Sequence, residues 1–351
     1  EQAARRSLKL VDRGPLAARA TTLLATVHFA RHEFGEALRG AQAAMELNPG
    51  DPIPNAVAGD ALLEMGKYDE AAQAYARLAA LQGLRRPDAR MAWLKFLQGD
   101  AVGAVADMRQ AVTHIARRNP SGEPVAWMHY QLGELLFYQG DLAGAEAAER
   151  DALTAMPNYH RALAGAARVQ AAGGRLREAA DLYHKALNVI PLPEYAAALG
   201  DVYTRLGRAQ EAAKQYALVE YIGRLSALNK VVYNRELALF YADHDMKLPE
   251  ALELARREVD ARRDIYTQDV LAWALLKNGR AREAEAAIQE ALKLGTPDPR
   301  LFFHAGMIYR ALGDADRARE ALRRALTLNP HFHVLQAEVA TRALGELQAQ
   351  R

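Results

Sequence analysis

The residues of this chain best suited to chemistry are large aromatics and arginines set at helical spacings. Trp93 and Phe96, then Trp127, Tyr130, Phe137 and Tyr138, fall at intervals that place them on one side of a helix. Farther on, Tyr266, Trp273 and Phe303 repeat the theme, and Arg161 and Arg168 stand between the two groups. Rings gathered on one face mark a contact surface. Two guanidiniums on one face suit a carboxylate held by paired hydrogen bonds. This is the chemistry of recognition, and no catalytic set accompanies it. Gly173-Gly174 reads as a helix end rather than a phosphate-cradling loop, and no serine or threonine sits in a nucleophile elbow. The ten histidines are scattered, with His331 and His333 just after Pro330. Asp243-His244-Asp245 offers ligand atoms, but three adjacent residues in a loop cannot all point at one ion, so the tripeptide reads as a solvated turn. Neither a metal nor a cofactor is expected.

Composition narrows the classes further. Lysine and arginine number 45 against 43 acids, a formal charge of +2, too balanced for a nucleic-acid partner. No apolar stretch reaches the roughly 20 residues that span a bilayer. Cysteine is absent, which excludes disulfides and thiolate sites and favours a periplasmic or cell-envelope setting over the cytoplasm.

The elements that must position these residues come from an internal repeat. Gly140-Asp141 with Ala145, Gly174-Arg175 with Ala179, Gly279-Arg280 with Ala284 and Gly313-Asp314 with Ala318 are its cleanest copies. Phased on them, repeats start near Ala18, Pro52, Arg85, Ala126, His160, Pro193, Val231, Ile265 and Pro299, at steps of 34, 33, 41, 34, 33, 38, 34 and 34 residues. In Ala126–Asn158 a first helix carries Leu132, Gly133 and Leu136 on one face. Gly140 closes it, a second helix presents Ala145, Ala148 and Ala152, and Pro157 ends the unit. The eighth position is always small: Gly59, Gly133, Gly200 and Gly306 in four repeats, alanine in the others. Glycine inside a helix costs about 1 kcal/mol against alanine, so its recurrence implies two helices in close approach.

Residues 1–17 match the second half of a repeat, with Ala3 and Pro15 in register with Ala37 and Pro49, so a first half is expected upstream. Residues 333–351 hold one more first helix, whose Gln336, Glu338, Arg342 and Glu346 would cover an outer face as a polar cap. Three irregularities break the period: Arg118–Pro124, Arg224–Lys230 and Tyr241–Pro249, the last replacing the usual glycine turn.

The pattern resembles the tetratricopeptide repeat family over nearly the whole chain. It does so through Leu132-Gly133, Leu199-Gly200 with Tyr203, Ala305-Gly306 with Tyr309, then Ala145, Ala212 and Ala318, and Pro157, Pro191 and Pro330. The resemblance implies an all-α, right-handed superhelical solenoid of antiparallel helix pairs, nine repeats making about one superhelical turn, with first helices lining a concave groove. The aromatics and arginines above then fall on the groove face. The asparagine-bearing carboxylate clamp and the asparagine ladder of two family subtypes are absent: neither the ninth nor the sixth repeat position holds asparagine.

The leading expectation is a non-enzymatic scaffold that binds a protein or peptide segment in its groove. Trp93, Phe96, Trp127, Tyr130, Phe137, Tyr138, Tyr266, Trp273 and Phe303 would be its anchors, and Arg161 and Arg168 would set polarity. A bacterial envelope protein handling polysaccharide is a second reading, since rings beside Asp, Glu and Arg also suit sugars. An accessory array of a larger enzyme or sensor, and self-association through open ends, are further ones.

Overall fold

Every expected interior glycine turn is built the same way, which fixes the helix count. The computed structural model describes residues 1–351 except 12, 84–88, 119–120, 229–233 and 350–351. The expected repeat starts at Arg85 and Val231, and parts of the first two irregularities, lie outside the described residues. Among the described residues there are twenty α-helices and no strand. A lone α1 (Gln2–Leu10) is followed by antiparallel pairs: α2 (Gly14–Ala30) with α3 (Phe34–Leu47), α4 (Ile53–Glu64) with α5 (Tyr68–Leu81), and α6 (Ala89–Leu97) with α7 (Ala101–Arg118). Next come α8 (Glu123–Tyr138) with α9 (Leu142–Ala155), α10 (His160–Ala172) with α11 (Leu176–Val189), and α12 (Pro193–Arg205) with α13 (Ala209–Leu228). The last pairs are α14 (Asn234–Asp243) with α15 (Leu248–Ala261), α16 (Ile265–Lys277) with α17 (Ala281–Leu292), and α18 (Pro299–Ala311) with α19 (Ala315–Leu328), before a final α20 (Gln336–Ala349). None of these helices is long and apolar enough to cross a membrane.

Each pair turns through positive φ. A single glycine supplies it in seven turns and His32 (φ 60°) in one, while the α14–α15 turn uses both Asp245 (φ 53°) and Lys247 (φ 41°). Aspartate and histidine are among the side chains that enter the left-handed region most readily; the loop at Tyr241–Pro249 turns without glycine and adds a second left-handed residue, Lys247. In the first helices, a Cβ at Gly59 or Gly200 would overlap the ring of Tyr75 or Tyr216. At Gly306 it would overlap Leu322, and at Gly133 the carboxyl of Glu149. The close approach inferred from glycine is thus a side chain of the second helix laid across the first.

One expectation is overturned. The chain does not need nine repeats to come round: repeats two, three and four sit directly on repeats seven, eight and nine. The backbone N–H of Ile265 donates to Tyr68 Oη at 2.9 Å, and Asn329 Nδ2 donates to the Phe137 carbonyl at 2.8 Å. The Thr296 hydroxyl donates to the Leu97 carbonyl between them. Tyr68, Leu94, Leu97, Ile265 and Leu301 share one apolar core. The turn glycines fit against the facing backbone; a Cβ on Gly66 would stand 2.5 Å from the Arg263 carbonyl oxygen and one on Gly140 2.8 Å from that of Leu328. Five repeats therefore complete a turn, and the solenoid is a closed coil around a lumen.

Candidate functional site

The lumen is walled by first helices, because the short turn glycines keep each second helix on the outside. A central cavity of about 370 Å³ is lined by Trp93 and Tyr138 from repeats three and four, Glu194 and Asp201 from α12, Arg235, Glu236 and His244 from repeat seven, and Tyr266, Arg300 and His333 beyond. Two smaller cavities adjoin it, about 170 Å³ beside Trp127, Asp60 and Arg90 and about 190 Å³ beside Tyr68 and Asp264. Trp93 lines all three.

Closure of the coil redistributes the expected anchors. Trp93, Trp127, Tyr130, Tyr138 and Tyr266 are half-buried, as a lumen wall should be. Phe96 and Phe303, at 0% and 1% exposure, are interior residues rather than an open surface, and so are Phe137 and Trp273. Phe96 and Phe137 lie in the core that also holds Ile265 and Leu301, so the second turn of the coil covers them. Phe96 lies between Trp93 and Tyr138, with centroid distances of 5.2 and 5.1 Å. It backs the exposed rings instead of joining them. Trp273 stacks on His304 at 4.2 Å, and its indole N–H donates to Asp243 Oδ1 at 2.8 Å. Arg161 is exposed, but Arg168 is not free to share a guest carboxylate with it. Its guanidinium is paired with Glu134 and lies 4.1 Å over the ring of Phe137.

Sequence reasoning missed the polar lattice behind the wall. Tyr216 Oη donates to Asp201 Oδ1 at 2.8 Å, and Tyr75 Oη donates to Asp60 Oδ1 at 2.9 Å, in both cases fifteen residues apart. Arg90 adds two bonds to Asp60 at 2.8 and 3.1 Å. A legible signal existed, the repeated Asp–Tyr spacing. His244, expected in a solvated turn, faces Asp201 instead, Nε2 to Oδ1 at 2.7 Å, while Nδ1 faces the Phe240 carbonyl at 2.7 Å. Both partners are acceptors, which favours the doubly protonated imidazolium. Burial alone would depress its pKa; the Asp201 bond and charge, with the Phe240 carbonyl, outweigh that and raise it. His333 is held differently, with its Nδ1 an acceptor: the N–H groups of Leu335 and Gln336 donate to it at 3.2 and 3.3 Å, leaving the Nε2 proton facing Asp201 Oδ2 at 3.4 Å. Gln336, expected on an outer face, is buried and donates to Asp243 Oδ1 at 2.7 Å.

Two carboxyls stand out by their surroundings. Glu194 faces the central cavity and forms no ion pair among the described residues. Desolvation by the walls pushes its pKa up to about 7, against the partial opposition of Arg161 and Arg235. Glu149, 1% exposed, is wedged against Gly133 and Gly165 where repeats two and six place a tyrosine. Burial raises its pKa well above the carboxylate range, and the neighbouring Glu134 adds to the effect while Arg168 opposes it.

The tetratricopeptide repeat model matches residues 57–123 and 270–331. No curated protein matches the chain. Solved structures similar to it include a tetratricopeptide repeat protein from Parabacteroides merdae, 18% identical over 73% of this chain and 96% of that one, with a TM-score of 0.41. Another is a chain of the APC/C hetero-tetramer Cut9–Hcn1, 16% identical with a TM-score of 0.48; the match covers 88% of this chain and 59% of that one. A third is PilW, a widely conserved type IV pilus biogenesis factor, 18% identical over 59% of this chain and 94% of that one, with a TM-score of 0.47. Residues 57–123 and 270–331 are thus matched as tetratricopeptide repeats, and helix pairs of the same build run between the two stretches.

Proposed function

We propose that this protein is a non-enzymatic scaffold that captures an extended protein segment in the lumen of its coil. Tetratricopeptide arrays generally serve as protein–protein interaction scaffolds. The observation that carries the reading is the junction of three cavities at the half-buried ring of Trp93, with Trp127 at one side and Tyr138 and Tyr266 at the other. The central cavity falls within the roughly 300–1,000 Å³ typical of ligand sites. Separate hydrogen-bonded clusters at Asp60 and Asp201 fix side chains of the wall, which lowers the ordering cost of binding. The buried rings Phe96, Phe137, Trp273 and Phe303 support the anchors from behind, while Arg161, exposed beside the lumen, remains available to set polarity.

The test is a panel of immobilised twelve-residue peptides of varied composition, probed with the folded protein and with Trp93→Ala/Trp127→Ala. A subset of peptides should bind the native chain, and the double variant should lose that subset while keeping its helical circular dichroism. Undiminished binding by the double variant, or binding of soluble oligosaccharides in place of every peptide, would overturn the proposal.

A further inference from the structure

We infer that the lumen selects a segment bearing an arginine or lysine, and that its cationic head lodges in the central cavity that Trp93 and Glu194 both line. The inference rests on the scaffold reading and names the chemistry of the guest. Its ground is the state of the charges already present. Arg235 lies 3.4 Å from both Glu236 and Asp264, and Arg300 lies 3.8 Å from Asp269. His244 is held by Asp201 at 2.7 Å. The lining cations are therefore committed. The acids are not all matched: Glu194 has no ion pair among the described residues, and the hydrogen bonds to Asp243 come from the neutral donors Trp273 and Gln336. The unmatched titratable groups of the cavity are therefore carboxyls.

The aromatic wall points the same way. Arg168 lies 5.9 Å from the ring of Tyr138 and Arg300 5.8 Å from that of Tyr266. The wall thus already accepts guanidiniums against its tyrosine faces. Among the described residues no cation stands over Trp93, the ring type that attracts cations most strongly. A guest cation finds one indole and one carboxylate uncommitted in a single cavity. A guest carboxylate meets Glu194 and Asp243 and gains neither guanidinium, because displacing one would strand its buried partner. An apolar guest could fill the volume but would leave Glu194 desolvated and unpaired.

Blocked pentapeptides identical except for a central arginine, lysine, norleucine or glutamate test this by titration calorimetry against the folded protein. The arginine and lysine peptides should bind at least tenfold more tightly than the norleucine peptide, and the glutamate peptide most weakly. Glu194→Gln, a nearly isosteric change, should abolish the difference between the basic peptides and the norleucine peptide. Equal affinities for arginine and norleucine, or a basic preference that survives Glu194→Gln, would overturn the inference. If all four peptides bind alike and Trp93→Ala/Trp127→Ala abolishes them, the scaffold reading stands and the cation preference falls. If none binds, both fall.

Discussion

Alanine at Gly66 or Gly140 tests the closed coil, provided the same change is made at Gly174 and Gly313. All four are turn glycines, with φ of +73°, +75°, +77° and +79°. The backbone penalty for an L-residue in this region, about 1–2 kcal/mol, is therefore common to all. Only the surroundings differ. A Cβ at Gly174 or Gly313 meets nothing within 4 Å, whereas at Gly66 it meets the Arg263 carbonyl oxygen at 2.5 Å and at Gly140 that of Leu328 at 2.8 Å. Those atoms are backbone and cannot rotate aside. Overpacking of this kind costs about 1–3 kcal/mol, so the seam variants should lose that much more than the controls. The loss should appear as a lower urea midpoint and as an increase in the radius of gyration by small-angle scattering, because the two turns of the coil must part. Equal midpoints and equal radii for seam and control variants would refute turn-on-turn packing.

Three further outcomes follow from the polar interior. Glu149 has a raised folded pKa, so the native state holds its proton where the unfolded chain has lost it, and stability falls as pH rises above the ordinary glutamate range by up to about 1.4 kcal/mol per pH unit. Glu149→Gln should flatten the wild-type slope between pH 5 and 7 in urea titrations, and an unchanged slope would show the carboxyl is not held neutral. His244 has the same sign: its folded pKa is raised, so its contribution is complete below pH 6.5 and disappears as pH rises through the folded value. His244→Gln should therefore be more destabilising at pH 6 than at pH 9, read by thermal melts at the two pH values. Asn329→Leu removes the buried bond to the Phe137 carbonyl, which keeps the Gly140 N–H at 2.9 Å, so the cost is that of one net hydrogen bond, about 0.5–1.5 kcal/mol. Hydrogen exchange should then rise on both sides of the seam, in repeats four and nine together.

Much of the fold was legible because a repeat states its local geometry many times over. Gly140-Asp141 and its copies mark the turns, and the small eighth positions mark where Tyr75, Tyr216, Leu322 and Glu149 cross the first helices. The closure was not legible. It depends on Tyr68, Thr296 and Asn329 reaching across nearly two hundred residues, and in the sequence each is an ordinary surface residue of its own repeat. Helical phase likewise placed the aromatics on the inner face but could not say which of them the next turn of the coil would cover, so Phe96 and Phe303 read as anchors when they are core.

The position fifteen residues after the ninth of a repeat shows how function and stability meet in this wall. In repeats two and six a tyrosine there donates to the aspartate at the ninth position, Tyr75 to Asp60 and Tyr216 to Asp201. Repeat four keeps an acid at the ninth position, Glu134, but puts Glu149 in the tyrosine's place. A carboxyl can act as the tyrosine hydroxyl does only while it holds a proton, and burial between Gly133 and Gly165 is what keeps that proton on. Arg168 then needs to balance only Glu134, and in doing so it closes over Phe137 and Tyr138 instead of reaching into the lumen. Burial carries Tyr216 further from titration, whereas it lifts the Glu149 carboxyl out of the ordinary glutamate range. Repeat four therefore puts a buried carboxyl into the wall behind Tyr138 where repeats two and six put a phenol.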